Sequence, residues 1–220
     1  MTSWNEDRAT RRTDGMTAVL IAAASLLLVF LAAAWTREWS LFSLSPPGGS
    51  APDVLPGQRE DLHRTFFTIW ASLLLAAPAL ALLPLAGRSA IAARFWRICW
   101  TASLLVFAVH FWWAVVVLFG NDWSRVLHTP RVSAPRLDTV FAVWWCVDVL
   151  LAWTVRPDRV WVRLQRAGVH LLAFVLFFMG AAREGELPVS RALGWSFSAV
   201  VALGLAAWAL RRINRPAAAR

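Results

Sequence analysis

The chain reads as an all-α, polytopic membrane helix bundle with six transmembrane helices and both termini in the cytoplasm. Its composition is 59% hydrophobic and 16% charged over 220 residues, whereas soluble domains run near ~45–50% apolar and ~25% charged. A soluble fold of this size lacks the charge to cover so much apolar surface. Several apolar runs reach about 16 residues or more, the range of helices that cross a bilayer. Strands are excluded, because isolated edges are unsatisfied in lipid and a barrel needs short alternating segments that this sequence lacks.

Residues 1–15 are polar and mixed in charge, and a disordered tail is expected there. The first helix is expected over 16–35. Ala32, Ala33 and Ala34 resemble a signal-peptide cleavage site, and cleavage would leave five helices. The apolar run is longer than a usual signal-peptide core, which favours a retained helix. Residues 36–63 form the longest loop. Its Pro46, Pro47, Gly48 and Gly49 are incompatible with regular structure, so it is expected to be the least ordered internal segment. The second helix, 65–86, contains Pro78, which removes a backbone hydrogen bond and predicts a kink; Pro84 and Gly87 mark its end. Helices 95–119 and 137–155 form a hairpin about a polar turn at 120–136. The fifth helix is expected over 167–182, with Arg163 and Arg166 reaching back to the headgroups. The sixth spans 192–210. Residues 16–212 form one domain and 213–220 a basic tail.

The net charge is +9 and every basic residue is arginine. In a soluble protein that would point to nucleic acid. Here the arginines flank the apolar runs, so topology accounts for them and no nucleic-acid partner is expected. With the N-terminus inside, 14 arginines fall on cytoplasmic segments and 8 on outer ones, which orients the chain. The expected location is a bacterial inner membrane. The bilayer is the expected partner, together with other membrane subunits or an apolar small molecule.

The hairpin carries the candidate chemistry. His110 lies deep in one apolar arm and Asp148 in the other, flanked by Trp112 and Trp113 and by Trp144 and Trp145. At about 100° per residue, Cys99, Ser103, Phe107, His110 and Ala114 share one stripe. It is the small, polar face of an apolar helix and should meet protein rather than lipid. Asp148 shares its face with Phe141, Trp144, Trp145 and Ala152. A buried carboxylate costs roughly 2.5–3.5 kcal/mol unless paired or protonated, and indole N–H groups are suitable donors. The expectation is one interior site built from His110, Asp148, Ser103, Trp113, Trp144 and Trp145. It would serve as an interhelical hydrogen bond, a proton relay or a substrate site. The deep tryptophans would either pack or line a cavity for an apolar ligand such as a quinone, sterol or lipid tail.

His170, His63 and His128 are secondary candidates. One haem shared by His110 and His170 needs matching depths; theirs differ by more than ~10 Å at 1.5 Å per residue. Haem on either histidine with another axial ligand is the cofactor to test. His63 and His128 lie near Glu60, Asp61 and Asp122 on the outer side. Their spacing matches no metal motif, so they are expected to be solvated loop residues and no metal is expected. Cys99 and Cys146 fall at different depths, which argues against a disulfide.

No nucleotide loop, HExxH, histidine box or GxSxG is present. The expected function is a small transporter or an accessory subunit of a membrane complex. The alternative is a membrane enzyme, either redox and associated with haem or quinone, or lipid-modifying.

Overall fold

The structure, a computed structural model, describes residues 2–36, 59–129, 133–155 and 159–214. These residues are helical, without strands. The elements are α1 (Thr2–Thr36), α2 (Arg59–Ala86), α3 (Ala90–Trp112), a short α4 (Trp123–His128), α5 (Pro135–Thr154), α6 (Val160–Phe177) and α7 (Pro188–Ile213). α3 continues into a π-helical turn at Trp113–Leu118, and α6 into another at Phe178–Arg183. Six helices are long and apolar enough to cross a membrane, which suggests a multi-pass membrane protein. The Pro/Gly core of the long loop and most of the basic tail lie outside the described residues.

The helices outrun the apolar segments that locate them, because an apolar run ends before the backbone is forced to turn. The largest difference is at the start. α1 begins at Thr2, so a helix stands where a disordered tail was expected. Its anchor is Asp14, fully buried, which accepts from Arg94 Nε and from Arg97 Nη2 of α3, the latter at 2.9 Å. Arg11 adds a bond to the Trp153 carbonyl of α5 at 3.0 Å. Pro135 and Pro188 open α5 and α7 in the first helical turn, where a missing N–H is no loss. α2 runs through both Pro78 and Pro84 to Ala86. The expected polar turn holds α4, whose N-cap Asp122 accepts from the Ser124 and Arg125 N–H groups. Gly120 (φ 62°) and Asn121 (φ 61°) are left-handed and reverse the chain after the first π turn; glycine and asparagine adopt that region most readily.

α2 is the central helix, packed on α1, α3 and α7. Ser72 and Ser103 lock it to α3, each hydroxyl reaching the other's carbonyl, at 3.1 and 2.7 Å. α7 crosses α2 at Gly204, where a Cβ would stand 2.5 Å from the Ala81 oxygen. α1 runs parallel to α3, with Asp14 beside Arg94 at one end and Phe30 5.2 Å from Trp113 at the other. The outer faces are apolar: Leu20, Leu28 and Leu31 of α1 and Leu203 of α7 are all exposed. The bundle therefore has an arginine-rich end, where α3 and α6 begin, and an opposite end carrying α4 and both π turns.

Candidate functional site

Asp148 is fully buried on the inward face that α5 forms with Phe141, Trp145, Val149 and Ala152. Its carboxylate accepts from Gln165 Nε2 at 2.6 Å, Trp100 Nε1 at 2.9 Å and Arg166 Nε at 3.3 Å. Gln165 in turn accepts from Trp144 Nε1 at 3.1 Å. α6 buries Val162, Arg166, Val169, His170, Ala173 and Phe177 along one face, so Arg166 points inward. Arg163 is exposed, whereas the expected reach to the headgroups fails for buried Arg166. The Arg166 guanidinium lies 4.4 Å over the Trp96 ring.

His170 joins this cluster, 4.0 Å from Asp148 and stacked on Trp100 with centroids 4.0 Å apart. Its tautomer follows from its neighbours. An indole N–H only donates, so His170 Nε2 accepts from Trp96 at 2.9 Å, and Nδ1 carries the proton that goes to the Arg166 carbonyl at 2.8 Å. The ring is neutral and both nitrogens are engaged. Binding a haem iron there would break the Trp96 bond.

His110 stands elsewhere. Its Nδ1 is 3.0 Å from the Thr65 carbonyl of α2; a carbonyl only accepts, so Nδ1 carries the proton and Nε2 is left as an acceptor. Thr68 Oγ1 is 3.3 Å from the same Nδ1. The expected single site is thus two sites. Asp148 meets α3 at Trp100, and the ten positions from Trp100 to His110 span about 15 Å of helix. Arg97 marks no membrane boundary, since α3 begins at Ala90 and Arg97 is bonded to buried Asp14.

His110 faces a cavity of about 270 Å³ at the end opposite the arginine-rich one. Its walls are mostly apolar and include the rings of Phe66, Trp70, Phe111 and Phe119. Both π-helical turns line it, through Ala114, Val115 and Leu118 and through Gly180 and Ala181. Such turns recur at functional sites. Asp138, Glu184 and Glu186 bring carboxylates to the lining. Phe107, Phe141 and Phe177 also line it, and each contacts the fully buried ring of Trp145, with centroids 5.3, 5.1 and 6.0 Å away. Trp145 then meets Trp100 at 4.5 Å. An aromatic partition thus separates the cavity from the Asp148 cluster. Trp145 Nε1 and Arg166 Nη2, both buried, have no hydrogen-bond partner among the described residues.

The remaining candidates disperse. Ser103 belongs to the α2–α3 contact. Trp113 donates to Asp61 at 3.2 Å, with Arg64 over its ring, and Trp112 is half exposed. His63 is buried near Phe67 in α2 rather than solvated in a loop. His128 is exposed at the end of α4, with Nδ1 2.8 Å from the Ser124 carbonyl. Neither lines the cavity. Cys99 and Cys146 are free thiols. Among the described residues no three His, Cys, Asp or Glu side chains gather as a metal-binding group. Sequence reading missed Trp96, Trp100, Gln165 and Arg166. The helical stripe of 162, 166, 169, 173 and 177 was the signal for Arg166, because it places one arginine among apolar residues.

No protein-family model, curated protein or solved structure matches the chain.

Proposed function

We propose that this is a multi-pass inner-membrane transporter for a small amphiphile, with both termini in the cytoplasm. The observation that carries this reading is the asymmetry of the bundle. A cavity with apolar walls and polar acceptors occupies one half, and the other half is closed by Trp145, Trp100 and the Asp148–Arg166–His170 cluster. Alternating access needs such an arrangement: a site open on one side and a polar, separable contact on the other. Asp148 and Arg166 suit that contact, since their bond is single and 3.3 Å long. An accessory subunit would have no use for the cavity. An enzyme would need a reacting group within it, and His110 Nε2 is the one ring nitrogen offered.

Paired accessibility tests the reading. Cys146 is replaced by alanine, Thr139→Cys is introduced on the cavity wall, and native Cys99 reports on the opposite half. Blocking position 139 from outside with a bulky impermeant maleimide should slow cytoplasmic labelling of Cys99 several-fold, because the two halves open in turn. Independent labelling rates would mean a fixed cavity and would refute transport.

A further inference from the structure

Four polar side chains of the cavity wall spend their donors on the protein itself. His110 spends its N–H on the Thr65 carbonyl. Thr65 donates its hydroxyl to Leu62 O at 2.6 Å, and Thr139 donates to Pro135 O at 2.9 Å. Trp70 spends its indole N–H on Ser190 Oγ at 2.8 Å. What these residues turn to the cavity is lone pairs, and Ser190 alone of this set keeps a proton to give. Asp138, Glu184 and Glu186 add carboxylates. Among the described residues no arginine lines the cavity; Arg136, Arg183 and Arg191 lie exposed at the same end, and Arg125 is held on Phe119. α5 and α7 open with Pro135 and Pro188, so each N-terminus presents one N–H donor fewer to an anion.

We infer that the ligand of this cavity is a protonated amine on an aromatic or aliphatic body, which rests on the cavity being a binding site. An ammonium supplies N–H donors to these lone pairs and brings a charge that Asp138 and Glu184 balance. The faces of Trp70 and Phe111 suit both parts of such a molecule. They bury its apolar body, and their negative π-faces attract a cation. A carboxylic acid or phosphate of the same size would meet lone pairs and carboxylates at every polar contact named above except the Ser190 hydroxyl, and a neutral alcohol would gain mainly from the apolar walls.

Three near-isosteric probes separate these cases: 2-phenylethylammonium, 2-phenylethanol and phenylacetate. Each is titrated calorimetrically into the full-length protein in phosphatidylcholine nanodiscs, whose neutral surface does not itself concentrate cations. The ammonium should bind more than about tenfold more tightly than the alcohol, equivalent to about 1.4 kcal/mol, and phenylacetate should bind least. Asp138→Asn combined with Glu184→Gln should bring the ammonium to the level of the alcohol and leave the alcohol unchanged. If that variant does not fold, the comparison in the unaltered protein decides. Gly180→Phe adds a ring at a lining position where a Cβ meets no atom within 4 Å, and it should weaken every probe that binds. Alcohol or phenylacetate binding as tightly as the ammonium, with Gly180→Phe weakening both, would overturn the cation inference and leave the binding site standing. Absence of binding by all three would overturn both.

Discussion

Asp148 and Arg166 matter as a pair. Each is buried, and removing one partner leaves the other charge without its counter-charge, at a cost of about 3–5 kcal/mol where such pairs have been broken. Asp148→Asn should therefore lower the melting temperature of the purified protein sharply, even though an amide can still accept from Trp100. Asp148→Leu with Arg166→Met removes both charges together and should recover most of the loss. A double variant no more stable than the single one would mean that the carboxylate's bonds to Trp100 and Gln165, rather than the ion pair, hold the cluster. Asp148 was legible in the sequence because a carboxylate inside an apolar run has no cheap explanation. Arg166 was not, because an arginine one or two turns inside a helix end has a ready one in its long stem. Only the face of the helix distinguishes the two, and that face depends on where α6 packs.

Among the elements, α7 is held by contacts that tolerate almost no added volume. A Cβ at Gly204 would stand 2.5 Å from the Ala81 oxygen and one at Gly194 2.5 Å from the Ala182 nitrogen. These are backbone atoms, which a rotamer change cannot move aside. Gly204→Ala should destabilise the protein by about 1–3 kcal/mol, as overpacking does, whereas Gly180→Ala should be neutral or slightly stabilising. Thermal unfolding in detergent compares them, and equal melting temperatures would show that α7 docks less closely. The long helices were readable from apolar length alone, which says nothing about the winding of a helix. Trp113–Leu118 and Phe178–Arg183 are as apolar as the turns before them, so their π geometry was invisible. α4 was hidden for the opposite reason: six residues carry too little periodicity to register.

For the whole molecule, the arginine distribution predicts an orientation, and the orientation decides what the cavity meets. Topology reporters fused at Gly87 and after Asn214 should read cytoplasmic, and one inserted at Asn121 should read outside. The cavity then opens away from the cytoplasm. A cytoplasmic reading at Asn121 would invert the bundle and the direction from which a ligand arrives. Helix number is encoded in composition, so it was legible. The separation of His110 from Asp148 was not, since the apolar pattern fixes each helix's length but leaves the axial offset between neighbours to interlocking contacts such as Asp14 with Arg94 and Arg97. The sequence also repeats T-x-F-x-[IV]-W at Thr65–Trp70 and Thr139–Trp144, and a similar limit applies to it. Thr65 and Thr139 both line the cavity, yet Trp70 faces it and Trp144 turns to Gln165.

The Asp148–Arg166 bond also bears on how the chain is made. The two residues are 18 positions apart, so at about 5–20 residues per second the ribosome delivers Arg166 about one to four seconds after Asp148. During that interval α5 holds a carboxylate with no counter-charge and has little reason to leave the translocon for lipid. Emergence of α6 supplies the guanidinium, and the two helices can then partition as one neutral hairpin. The charge pair that closes one half of the finished bundle would thereby also couple the membrane entry of α5 to that of α6.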